Sequence, residues 1–158
     1  MANTLIVYYS LEGNIDFVAR TLAKELGADT FRLETVKAYP KTGLAKFFHG
    51  GKDAVANSQP ELKAVPDVSA YQTIVVGAPV WAGRPAAPIN TLFANVDVAG
   101  KNLAAFASSA GGSATKTLEL IAEKAKGTDV VAVASFKNPA RNPESALADI
   151  KAFAEKIR

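Results

Sequence analysis

Apolar and polar positions along this chain change period in a regular way. Thr4–Ser10 (TLIVYYS) is a nearly unbroken apolar run, as a strand covered on both faces would be. The spacing then becomes helical. Ile15, Val18, Ala19, Leu22, Ala23 and Leu26 share one face, and Gly27 stands where that helix would end. Asp29–Glu34 reads as a second short strand. The stretch from Thr35 to Ala70 is the least regular, with Pro40, Gly43, Gly50-Gly51, Pro60 and Pro66, and one helix is expected near Leu44–Ala56. The buried-strand pattern returns at Gln72–Pro79. Pro85 is expected to open a helix reaching about Asn95, because proline fits a first turn. Asn102–Ser108 is a fourth strand, and Ser113 or Thr115 is the expected cap of a helix bearing Leu118, Ile121, Ala122 and Ala125 on one face. Asp129–Phe136 is the fifth strand. Asn142-Pro143 then reads as an N-cap with proline at the first helical position, ahead of Leu147, Ile150, Ala154 and Ile157 at helical spacing.

Five strands separated by helices predict an α/β three-layer sandwich, a parallel sheet with both faces covered. At 158 residues the chain is one domain's worth, so a single domain over residues 1–158 is expected. Open sheets of this kind bind ligands beyond the C-terminal ends of their strands, where strand order reverses. The strand ends therefore carry the functional question.

Composition narrows the chemistry. There is no cysteine, which excludes disulfides, a thiolate metal site and a cysteine nucleophile, and one histidine leaves little room for a metal site or a Ser-His-Asp triad. The formal charge is +3, part of it from Arg32, Lys37, Lys41, Lys46 and Lys52 against Glu34 alone between residues 32 and 52. A nucleic-acid surface would need a denser patch with interleaved aromatics, so no nucleic-acid partner is expected. No run approaches the roughly 18 apolar residues of a membrane span, and Met1-Ala2-Asn3-Thr4 enters a strand-like run without a signal-peptide pattern. A cytoplasmic protein without membrane association is the expectation.

Three strand ends stand out. After the first comes Ser10-Leu11-Glu12-Gly13-Asn14-Ile15, a short polar loop with glycine at a helix N-terminus, which offers unpaired N–H groups and the positive end of a dipole to a phosphate. The loop matches neither G-x-G-x-x-G nor G-x-x-x-x-G-K. After the third strand, Gly77-Ala78-Pro79-Val80-Trp81-Ala82-Gly83-Arg84-Pro85 holds the chain's one tryptophan. After the fourth, Ala107-Ser108-Ser109-Ala110-Gly111-Gly112-Ser113 lets backbone approach a flat ligand and offers N–H donors to its edge. In Lys46-Phe47-Phe48-His49-Gly50-Gly51, the phenylalanines read as core residues, and His49 either as a half-exposed residue on a helix end or as one that reaches the edge of a ligand bound at the strand ends.

Taken together, these loops resemble those of the flavodoxins, especially the short flavodoxin-like proteins with YYSLEGN-type phosphate loops and a P-x-W-x-G loop. The resemblance spans the whole chain and implies strand order 2-1-3-4-5 with one non-covalent flavin mononucleotide (FMN). By that resemblance Ser10, Glu12, Gly13, Asn14 and Ile15 would surround the 5′-phosphate. Pro79, Val80, Trp81, Ala82 and Gly83 would line one flavin face and its N5 edge. Ser108, Ser109, Ala110, Gly111 and Gly112 would meet the pyrimidine end. Within the Trp81 loop a peptide carbonyl would turn toward N5, which needs positive φ; Gly83 tolerates that, whereas at Ala82 it would cost roughly 1–2 kcal/mol. Ile15 stands where the family usually has a threonine, so one hydroxyl donor is missing. Glu12 brings a carboxylate close to the phosphate, and the weakly basic balance departs from the acidic electron shuttles.

The function implied is electron transfer with a redox partner protein, by a monomer or weak homodimer. An FMN-dependent NAD(P)H:quinone-type oxidoreductase is the alternative, although such enzymes are generally longer. A flavin-binding module without turnover is the third reading.

Overall fold

The computed structural model describes residues 2–40, 50–111 and 113–158. The elements run β1 (Thr4–Tyr8), α1 (Asn14–Leu26), β2 (Asp29–Arg32), a helical segment at 50–55 (α2), β3 (Thr73–Trp81), β4 (Arg84–Pro85), α3 (Pro88–Asn95), β5 (Asn102–Ser109), α4 (Thr115–Lys124), β6 (Asp129–Lys137) and α5 (Pro143–Ile157). Five strands pair in parallel in the order β2-β1-β3-β5-β6, the expected 2-1-3-4-5 arrangement; the sixth, β4, pairs only with the end of β3. Helices cover both faces of the sheet.

Period-two alternation builds two core layers. On one face Leu5, Val7, Ile74, Val76, Leu103 and Ala105 meet Ile89 and Leu92 of α3 and Ile121 of α4. On the other, Ile6, Tyr8, Val75, Ala104 and Phe106 meet Ile15, Val18 and Leu22 of α1 and Ile150 and Phe153 of α5. Phe106, Phe136 and Phe153 pack edge-to-face with centroids 6.1–6.4 Å apart. Room for the Phe106 ring comes from its register partner Gly77, where a Cβ would sit 2.2 Å from Phe106 Cζ.

Gly27 ends α1 at φ 63°, accepting the left-handed conformation that a C-terminal cap needs. Two expected boundaries are corrected. Pro85 does not open a helix: a tight turn folds Arg84–Pro85 back on Val80–Trp81, and the helix starts at Pro88, which takes the first-turn position instead. Proline suits that two-residue edge strand because it has no N–H to leave unpaired. The N-cap of α4 is Ala114, although Ser113 Oγ accepts the Thr115 N–H at 3.2 Å. The helix expected near Leu44–Ala56 is seen at 50–55; residues 44–49, with Lys46, Phe47, Phe48 and His49, lie outside the described residues.

Candidate functional site

The loop after β1 is held from three sides. The Tyr9 N–H donates to the Gly77 carbonyl (3.1 Å), Ser10 Oγ accepts the Asp16 N–H (3.1 Å), and the Arg32 guanidinium donates to the Ser10 carbonyl (3.1 Å). Gly13 precedes α1 at φ 97°, a conformation in which a side chain would be strained. Phe17 N–H already bonds the Gly13 carbonyl, so in this first turn the amides of Asn14 and Ile15 have no earlier helical carbonyl to reach. They are the free donors an anion would find there.

Beneath the loop lies a compact ionic network. Tyr8 donates to Asp16 Oδ1 (2.6 Å), and Asp16 is also paired with Arg20 (2.9 Å) and Arg32 (3.5 Å). Burial pushes the Asp16 carboxyl upward, but the hydrogen bonds from Tyr8 and Arg20 and the two guanidinium charges outweigh it and hold the group below its ordinary value. Burial first, and then the bond to Asp16, push Tyr8 up to about 12. Tyr8 is therefore a neutral donor at neutral pH.

β3 runs on past the sheet into a two-residue hairpin. Ala82 (φ 51°) and Gly83 (φ 77°) both take positive φ, the signature of a type I′ turn, with Trp81 opposite Arg84. The conformation expected to be strained at Ala82 is thus already present. Trp81 is held from behind. Tyr39 and Tyr9 meet its ring edge-to-face at 4.8 and 5.6 Å, and the backbone of α2 lies so close that a Cβ on Gly50 would be 3.1 Å from the ring. Tyr39 is itself tied to Asp53 (2.6 Å); burial, followed by that bond, raises its pKa.

The loops converge on a cleft of about 680 Å³ at the C-terminal ends of β1, β3 and β5. Ser10, Glu12, Asn14, Ile15, Pro79, Val80, Trp81, Ala82, Ser108, Ser109 and Ala110 all line it. Three of the expected residues stand apart. Gly13 and Gly83 shape the backbone turns without lining the cleft, and Gly111 (φ 153°) lines a second cavity, of about 450 Å³, beside β6. Gly112 lies outside the described residues.

Leu11, Gly51, Asn138 and Arg141 also line the cleft and were not anticipated. The last two come from the loop between β6 and α5. This loop is fastened at two points: the Asn138 N–H donates to the Ser109 carbonyl (3.1 Å), and the Ala140 N–H donates to Asn14 Oδ1 (3.1 Å). The Asn14 side-chain oxygen is therefore spent on holding this loop. Applying the strand-end rule to the fifth strand would have found Asn138 and Arg141. Among the described residues no cluster of histidine, aspartate or glutamate is arranged to hold a metal, and no helix is long and apolar enough to cross a membrane.

Known proteins match this architecture. A family model described as flavodoxin matches residues 3–137. An NAD(P)H dehydrogenase (quinone) of Caulobacter vibrioides is 31% identical over 134 residues, covering 77% of this chain. The chain spans 65% of that relative's length. A Lactobacillus acidophilus flavoprotein solved in complex with FMN is 25% identical with a TM-score of 0.74, covering 91% of this chain and 98% of the other. Oxidised flavodoxin 2 from Bacillus cereus is 18% identical with a TM-score of 0.63, covering 98% and 97%.

Proposed function

The chain belongs to the flavodoxin family, and on that premise we propose that it holds one FMN non-covalently and carries electrons between redox partner proteins. The observation that carries this is the convergence of three strand-end loops on one cleft, with the first turn of α1 at its edge. The residues fit the group. A cleft of about 680 Å³ lies within the roughly 300–1,000 Å³ typical of cofactor sites, and it unites amide donors, an aromatic ring and small residues. The structurally similar L. acidophilus flavoprotein, solved with FMN, supports the same reading.

FMN, when bound, supplies the redox chemistry; the protein supplies position and electrostatics. The Asn14 and Ile15 amides and the α1 dipole bind the phosphate. Ser10, whose Oγ already accepts the Asp16 N–H, keeps its own hydroxyl hydrogen as a further donor. Pro79, Val80 and Trp81 line a ring face, with Trp81 fixed in advance by Tyr9, Tyr39 and Gly50. The small side chains of Ser108, Ser109 and Ala110 let backbone come close to the ring edge.

The pure protein should be yellow, release FMN on heating at one per chain, and bind FMN more tightly than riboflavin. Trp81, the one tryptophan, should lose most of its fluorescence when apoprotein takes up FMN. A colourless protein that binds neither flavin, or an unquenched Trp81 in a flavin-loaded one, would count against this site.

The 31% identity to an NAD(P)H dehydrogenase (quinone) favours a second reading, an FMN-dependent oxidoreductase acting on a quinone. Steady NAD(P)H oxidation with a quinone by pure protein alone would support it. Dependence on a separate reductase would support the carrier.

A further inference from the structure

The geometry points to Arg141 as the cation that pairs with the flavin phosphate, standing in for the hydroxyl missing at Ile15. This rests on the FMN reading above. Among the described residues, Arg141 is the one cationic residue lining the cleft and Glu12 the one anionic residue. It follows directly on Ala140, whose N–H is bonded to the side chain of Asn14, the first residue of α1. That bond sets Arg141 at the end of the cleft where the Asn14 and Ile15 amides lie. The Arg141 backbone is fixed as well, its N–H donating to the Asn138 carbonyl at 3.0 Å, and Asn138 holds positive φ (41°) to make that turn.

Arg141 is exposed at its own position and forms no ion pair among the described residues, whereas Arg32 and Arg20 near the same loop are both committed to Asp16. A guanidinium offers a planar fork of donors suited to phosphate oxygens. Ile15, by contrast, is 1% exposed and packed into the core under α1, so its side chain has no donor for the phosphate and this position offers only its backbone N–H. Arg141 lies in the loop between β6 and α5, beyond residue 137, where the family match ends.

The test compares FMN and riboflavin binding to apoprotein carrying Arg141→Gln or Arg141→Lys, at low and at high salt. Arg141→Gln should weaken FMN about tenfold at low ionic strength and leave riboflavin within about twofold. Salt should shrink that FMN penalty, since an exposed pair is screened, and Arg141→Lys should keep most of the wild-type preference. The side chain makes no described bond within the protein, so thermal unfolding of the apo variants should match wild type. Unchanged FMN affinity in Arg141→Gln, or equal loss of FMN and riboflavin, would overturn the assignment while leaving the flavin site standing. Wild-type protein that binds neither ligand would instead bring down the flavin reading, and this assignment with it.

Discussion

Gly77→Ala tests how closely the sheet beneath the cleft is packed. Its new Cβ would stand 2.2, 2.5 and 2.7 Å from three atoms of the Phe106 ring, against an ordinary carbon–carbon contact of about 3.5–4.0 Å. More than about 1 Å of movement is required, and neither side yields easily. Phe106 is fully buried between Phe136 and Phe153, and β3 is paired on both sides, to β1 and β5. Overpacking usually costs about 1–3 kcal/mol, so this site belongs at or above the top of that range. Removing glycine's backbone freedom returns only about 0.5–1 kcal/mol. A net loss near 3 kcal/mol should lower the apoprotein melting temperature by roughly 6–12 °C. The specific check is Phe106→Leu, which alone should cost about 1–2 kcal/mol by lost packing. In the double variant the smaller side chain makes room for the methyl group, and the coupling should recover about 1–3 kcal/mol. Strictly additive losses, or a Gly77→Ala change below about 1 kcal/mol, would refute the steric argument.

Other changes probe the cleft itself. Ile15→Thr should split two readouts: apoprotein stability falls by about 2 kcal/mol through a buried hydroxyl and lost packing, while FMN affinity rises about tenfold. A variant that is destabilised and binds FMN no better would mean that position 15 has only a packing role. In the hairpin, Gly83→Ala adds a second Cβ at positive φ and should cost roughly 1–2 kcal/mol, purely in conformation because nothing lies within 4 Å. Ala82→Gly relieves the same strain and should be neutral or stabilising; equal losses for both in denaturant titration would contradict the turn geometry. Asp16 is held below its ordinary value, so its contribution is present above about pH 4 and lost as pH falls through the lowered value. Asp16→Asn should therefore flatten the acid limb of the stability profile, whereas parallel profiles would show that the network contributes no pH dependence.

The fold was legible because its signals are long and periodic. Buried parallel strands such as LIVY and TIVVGAP, and helical faces such as Ile15, Val18 and Leu22, admit few other assignments. Strand order followed from the family resemblance and not from periodicity, which says nothing about neighbours. The misplaced helix start at Pro85 had a local cause. Ala82-Gly83 is a weak hairpin signal because alanine is a poor I′ residue, so the return strand was invisible and Pro85 read as a helix opener. The role of the Asn14 side chain was hidden for a different reason. Its partner is the Ala140 N–H, 126 positions away, and no local pattern reports a bond to a backbone amide at that distance.

That long bond carries a consequence for the order in which the molecule assembles. The rim of the cleft joins residues near position 10 to residues near 140, so it closes only after almost the entire chain has been threaded into place. Loop closure over such a span is slow compared with forming α1, whose bonds are local, or the shorter-range β1–β2 pair. A nascent chain will therefore have made the loop between β1 and α1 long before the segment that fences it arrives. In refolding, capture of a ligand by the finished rim would serve as a clock for the last docking event, and it would stabilise only molecules that have completed it.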